Sequence, residues 1–309
     1  MNRRHPEAGQ WRSGRAGRRY RKTLPSAGRG ETLFSFGAEG EFSVQAAASL
    51  AELKTAWRLA GRVYGGMGYA RGEGRELWYS LHDAVPEAVT CTVERRKRPL
   101  GAITLVPDSP CGLPAERTFP QEVNRLRAAG RRLAESVSLV QESSSESAGA
   151  RVVRKLLELT CLVPRRVLGA TDMICTVNPR HLSYYRRLMR FEQLGGVHYC
   201  QRVGGAPAVF LVLDLERAAG YAAEARLPGS RRTLYRGFMD EESSERVARA
   251  IRARPRRITR EEFVKCFVLD RRLLREASAR ARAYLSRCYG LTGRKRTGHH
   301  ETTGVHGAV

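Results

Sequence analysis

Leu133-Ala-Glu135-Ser-Val137-Ser-Leu139-Val-Gln141 decides how the chain reads. Side chains alternate across a strand, so this spacing predicts Leu133, Glu135, Val137 and Leu139 on one face. An ionisable carboxyl then stands in an apolar row, where loss of water raises its pKa. Downstream, Ser143–Ser147 reads as a polar loop and Ala150–Leu168 as a helix with Val152, Val153, Leu156, Leu157 and Leu159 inward. Met173–Val177 is a further apolar strand. Asn178-Pro179 opens a helix over Arg180–Met189, because proline's missing N–H costs little in a first turn. Phe191–Val203 and Ala206–Leu215 pair as strands around Gly204-Gly205.

Upstream, Phe42-Ser-Val-Gln-Ala reads as the first strand, and Ser49-Leu-Ala-Glu52 as a capping box. Leu53, Ala56, Trp57, Ala60, Val63 and Tyr64 then follow at helical spacing. Ala88–Arg95 and Leu100–Val106 flank the polar turn Arg96-Lys97-Arg98-Pro99, which predicts an antiparallel hairpin. A proline-rich loop and a short helix around Phe119–Ala129 lead back to Leu133. The sum is an α/β layer fold, one mixed sheet covered by helices, over residues 35–215. Residues 216–291 read as a basic helical extension. There Thr259-Arg-Glu-Glu262 is a second capping box, and Phe263, Phe267, Leu269, Leu273 and Leu274 make a partly apolar stripe, which either packs back on the domain or belongs to a separate functional domain. Residues 1–34 and 292–309, rich in Arg, Gly, Ser and Thr, are expected to be disordered tails.

Of the formal charge of +24 on 309 residues, residues 1–34 carry +7, 35–215 carry +6 and 216–309 carry +11. Such basic ends attract polyanions non-specifically at low salt, so nucleic acid is a partner only in that sense. No run approaches the roughly 18 apolar residues of a membrane span, and no signal peptide is evident, so a cytoplasmic protein is expected. Seven cysteines without a C-x-x-C pair argue against a disulfide framework or thiolate zinc site. No metal is expected, and His299, His300 and His306 belong to the solvated tail. Phosphate-loop, dinucleotide, H-E-x-x-H and G-x-S-x-G motifs are missing.

Three segments resemble one family: Thr104–Pro114, Leu126–Glu135, and Val177-Asn178-Pro179-Arg180-His181-Leu-Ser-Tyr184-Tyr185 with Phe191 and Gly204–Ala208. With Arg62-Val-Tyr64, Gly68-Tyr69 and Asp83-Ala-Val-Pro86, they are similar in order and spacing to the long-chain N-acyl amino acid synthases. That family is related to the acyl-homoserine-lactone autoinducer synthases and has the GNAT-like acyl-CoA N-acyltransferase fold. The resemblance spans about residues 41–215. It implies transfer of a long-chain acyl group from acyl carrier protein, or acyl-CoA, to the α-amine of an amino acid, with no tightly bound cofactor.

Amine attack on a thioester requires a base and oxyanion donors. Glu135 is the expected base, unless Arg131 or Arg62 neutralises it. The donors are expected from backbone amides of the Leu133–Gln141 and Met173–Val177 strands. Arg62 and Asp83 resemble cleft residues that orient carboxylate and ammonium, or else form a structural ion pair. Asn178 caps its helix or binds substrate beside His181. Tyr184 or Tyr185 protonates the leaving thiolate or merely packs. The pyrophosphate-gripping Q/R-x-x-G-x-G/A loop is replaced by Ser143–Gly149, which suits a carrier-protein donor. Arg151, Arg154 and Lys155 are its expected contacts, against a solvated face with Arg154–Glu158 pairing. Arg190 stands where the family usually has glycine, which leaves that turn open. The competing reading is a nucleic-acid-associated or regulatory module with basic arms and an inert acyltransferase-like core.

Overall fold

A computed structural model describes residues 32–69, 76–142, 145–229 and 233–291. Its strands are β1 (Thr32–Phe36), β2 (Phe42–Ala46), β3 (Val89–Arg95), β4 (Arg98–Pro107), β5 (Leu133–Gln141), β6 (Asp172–Val177), β7 (Glu192–Cys200) and β8 (Ala206–Asp214). They form one sheet in the order β1-β2-β3-β4-β5-β6-β8-β7. Only β5 and β6 run parallel. Both tails fall largely outside the described residues. Thr32–Phe34, assigned to the disordered N-terminal tail from composition, instead belongs to an edge strand pairing Phe34 with Val44.

Helix α1 (Leu50–Gly66) starts at the Ser49 capping box: Glu52 N–H donates to Ser49 Oγ at 3.3 Å, and Ser49 N–H to Glu52 Oε2 at 3.1 Å. With α2 (Pro120–Ala128), it covers one sheet face through Leu59, Ala60 and Val123 against Ala102, Val140 and Val106. Helix α3 (Glu146–Arg166) covers the other, laying Val152, Leu156 and Leu159 on Ile103, Leu105 and Met173. Gly101 permits that approach, because a Cβ there would sit 3.0 Å from Leu156 Cδ1 and closer still to Val152. The β3–β4 turn is tighter than its sequence suggests: Arg95 pairs with Arg98, and only Arg96 and Lys97 turn, both left-handed.

One departure shapes the site. Ser138 is left-handed (φ 54°), and the β4–β5 register shifts between Ala102–Val140 and Thr104–Val137. This bulge breaks the expected alternation. Leu133 and Val137 keep the α2 face with Glu135, but Leu139 passes to the α3 face and Val140 turns towards α1.

After the short helix α4 (Leu182–Met189), the chain runs through β7 and β8 into α5 (Leu215–Glu224) and α6 (Glu241–Ala253), which extend the α3-side core. Arg190 closes α4 with φ 57°, so the turn forms without glycine, and its guanidinium lies 4.3 Å from the Tyr221 ring centroid. Helix α7 (Arg260–Phe263), capped by Thr259, continues as a π-helix over Val264–Asp270, and α8 (Ala279–Cys288) follows. Phe263, Phe267 and Leu285 pack on Leu53, Trp57 and Tyr79. Tyr79 Oη donates to the Cys266 carbonyl at 2.8 Å, tying this extension to the α1 side.

Candidate active site

Strands β5 and β6 keep parallel register only from Leu133–Asp172 to Ser136–Cys175. Beyond that point the β5 backbone has no β6 partner, and a cleft of about 2700 Å³ opens between the two strands. Val153 and Leu157 of α3 give it an apolar side, and Tyr64, Tyr69 and Trp78 an aromatic one. Ser278, Arg280 and Ala281, at the start of α8, contribute to its lining. Backbone groups left unpaired along the gap could stabilise an oxyanion.

Glu135 lies at the root of the gap, opposite Ile174, lining the cleft while only 2% exposed. Oε2 accepts the Ala115 N–H at 2.8 Å, and Oε1 has no hydrogen bond among the described residues. Burial pushes its pKa up to about 8, against the opposing pull of the Ala115 amide and the Arg202 charge. Neither suggested neutralising partner reaches it. Arg131 bonds Asp172 and Asp214 at 2.5–2.8 Å, and Arg62 pairs with Glu142.

The other residues singled out from sequence divide. Arg62 lines the cleft, but its fork is spent on Glu142 at 3.1 and 2.9 Å. Asp83 does not face the cleft: it is 4% exposed and accepts from Trp57 Nε1 at 3.0 Å and from Ser80 N and Oγ at 2.8 and 3.1 Å. Its carboxylate braces a turn and cannot orient an ammonium, and it is not paired with Arg62. Asn178 Oδ1 accepts from Arg180 N–H at 3.1 Å, the capping role. His181 lines the cleft; burial and Arg180, whose Nε donates to His181 Nε2 at 3.0 Å, lower its pKa.

Tyr184 and Tyr185 both line the cleft, ring centroids 5.9 Å apart, with Tyr184 the more exposed. Desolvation raises both phenols, so they stay protonated donors. The expected basic cluster on α3 is divided between two sides of the helix. The helix turns Glu146, Gly149, Ala150 and Val153 to the cleft, which puts Arg151 and Lys155 on another side. Arg151 pairs with Glu41 at 2.9 Å, and Lys155, rather than Arg154, pairs with Glu158, at 2.7 Å. Exposed Arg154 borders the cleft stripe, near enough for its charge to act on Tyr184.

Composition and periodicity missed two polar groups that line the same cleft as Glu135. His82 lines the cleft, and burial with the charges of Arg202 and Arg117 lowers its pKa to about 4, so its imidazole is neutral at pH 7. Arg202, in the turn between β7 and β8, stacks over Trp78. Both stand on short one-turn segments with no periodic signal, distant in sequence from β5. Among the described residues no cluster of His, Cys, Asp and Glu could hold a metal ion, and no helix is long and apolar enough to cross a membrane.

A profile of the family described as N-acyl amino acid synthase FeeM matches residues 55–214. No curated protein matches the chain. Among solved structures, FeeM, an N-acyl amino acid synthase from uncultured soil microbes, is 20% identical and superposes with a TM-score of 0.50, covering 58% of this chain and 93% of FeeM. The acyl-homoserine-lactone synthase LasI is 14% identical with a TM-score of 0.42, covering 56% of this chain and 90% of its own.

Proposed function

Because the chain belongs to the N-acyl amino acid synthase FeeM family, an acyltransferase family with the GNAT-like fold, we propose that it moves a long-chain fatty acyl group onto the α-amine of an amino acid. The donor in this proposal is a thioester on an acyl carrier protein rather than on coenzyme A, and the setting is the cytoplasm. The observation that carries it is Glu135, desolvated at the root of an open, partly apolar cleft, with Oε1 making no hydrogen bond among the described residues.

Residues 35–215 carry the reaction, and 216–291 complete a wall. The acceptor arrives as an ammonium and gives one proton to Glu135. Its nitrogen then attacks the thioester carbonyl carbon, and backbone amides along the β5–β6 gap hold the oxyanion. As the adduct collapses, the C–S bond breaks, Tyr184 or Tyr185 donates a proton to the sulfur, and the second nitrogen proton restores that phenol through water. The acyl tail lies against Val153 and Leu157, and His181 helps shape the donor side. Asn178 contributes by fixing the first turn before α4. Arg154 meets the carrier protein at the rim, where complementary charge speeds encounter.

Incubating the full chain with palmitoyl carrier protein and a pool of amino acids, then searching for N-acyl products by mass spectrometry, tests this reading. An N-palmitoyl amino acid is expected. Absence of any amide with either carrier-protein or coenzyme A donors would overturn it.

A further inference from the structure

An amino acid carries its carboxylate one carbon from the amine, so a group that binds that carboxylate must stand close to the base. The sequence offered Arg62, whose two donating nitrogens are already held by Glu142 at 3.1 and 2.9 Å. Other cleft guanidiniums are likewise committed: Arg127 to Asp108 at 2.6 and 2.7 Å, Arg131 to Asp172 and Asp214, Arg132 to the Gly169 carbonyl at 2.7 Å, and Arg180 to His181 Nε2 at 3.0 Å.

Arg202 differs. It makes no hydrogen bond or ion pair among the described residues. Its guanidinium carbon lies 5.1 Å from the centroid of the Trp78 ring, a cation–π contact that holds one face and leaves the N–H edges open. The turn that carries it is set by Gly204 and Gly205, at φ 70° and 78°, with Gly205 N–H donating to the Cys200 carbonyl at 3.0 Å. Arg202, Trp78 and Glu135 line the same cleft. Arg117 and Arg280 also line it and make no hydrogen bond or ion pair among the described residues, yet of the three Arg202 is the one whose charge acts on Glu135. Neutral His82 sits between the fields of Arg202 and Arg117 and neutralises neither.

We propose that Arg202, braced on Trp78, binds the α-carboxylate of the acceptor and so selects amino acids over amines that lack one. A guanidinium presents two parallel donors to a carboxylate, and the contact with the indole face, 5.1 Å from guanidinium carbon to ring centroid, limits where Arg202 can swing. In this proposal the carboxylate held there keeps the ammonium in the cleft that Glu135 lines. This inference rests on the acyl-transfer reading above.

The test compares wild type, R202A and R202K with palmitoyl carrier protein and two acceptor pools, the amino acids and their carboxamides. Wild type is expected to prefer the acids. In R202A the KM for acids should rise roughly 10- to 100-fold, the scale of a lost charge-assisted hydrogen bond, while KM for carboxamides and for the donor stays within about threefold. R202K should recover part of the loss through charge without the fork. An unchanged KM for acids, or equal losses for acids and carboxamides, would overturn the assignment. Saturation-transfer NMR on the same pools separates it from turnover. If wild type forms no amide but binds acids in an Arg202-dependent way, the acyl-transfer reading fails and the carboxylate site stands; acid binding that is absent, or unaffected in R202A, removes the site.

Discussion

The Ala115 amide donates to Glu135 Oε2 at 2.8 Å, joining the turn Pro114–Arg117 to the root of the β5–β6 gap. That single bond orients the carboxylate and leaves its other oxygen towards the cleft. It also lowers the proton affinity that burial raises, yet burial prevails and the pKa stands near 8.

A pKa raised by folding has a definite sign in stability. Between the ordinary carboxyl value of 4.5 and about 8 the folded protein holds the Glu135 proton more tightly than the unfolded chain, so this group's contribution falls as pH rises through that window. Each pH unit inside it costs up to about 1.4 kcal/mol. Glu135→Gln removes the effect. The melting temperature of E135Q relative to wild type should therefore climb from pH 5 to pH 8 and level off above it, by differential scanning calorimetry. His82, lowered to about 4, acts oppositely below its ordinary 6.5, stability falling as pH drops, but it is common to both proteins and cancels in the difference.

At Gly101, α3 packs closely on β4. Gly101→Ala should cost about 1–3 kcal/mol in urea unfolding, because Val152 and Leu156 must move for the new methyl. Catalytic parameters should change little once the variant is folded. A variant as stable as wild type would mean that α3 does not rest on β4 as described.

Arg154 is exposed, its charge acts on Tyr184 and, unlike Arg151 and Lys155, it pairs with no carboxylate among the described residues. Arg154→Glu should raise the KM for acyl carrier protein about tenfold at low salt and leave the KM for acyl-CoA nearly unchanged. Salt should shrink the difference as it screens the exposed charge. Equal effects on both donors would point away from carrier-protein docking at this rim.

Much of this was legible in the chain before folding. The alternation Leu133-x-Glu135-x-Val137 placed a carboxyl on the covered side of a strand, and Ser49–Glu52 and Thr259–Glu262 announced helix starts that form as written. What failed has physical causes. A bulge at Ser138 is invisible to a count of two, so Leu139 was assigned to the wrong face. Arg62 met Glu142 across 80 residues, and Asp83 turned back on its own turn; neither follows from local pattern. Arg190 tolerates a left-handed backbone where glycine was expected, partly repaid by its stack on Tyr221. His82 and Arg202 line the cleft only because the fold brings together turns far apart in sequence.

The most direct measurement is the pH dependence of kcat/KM for the amino-acid acceptor, in wild type and E135Q, with one acyl donor. Wild type should rise along a limb with an apparent pKa near 8. E135Q should lose about 10²- to 10⁴-fold, and its remaining rate should follow only the acceptor amine's own ionisation. An E135Q enzyme that keeps the wild-type rate and the wild-type limb would contradict the assignment of Glu135 as the base.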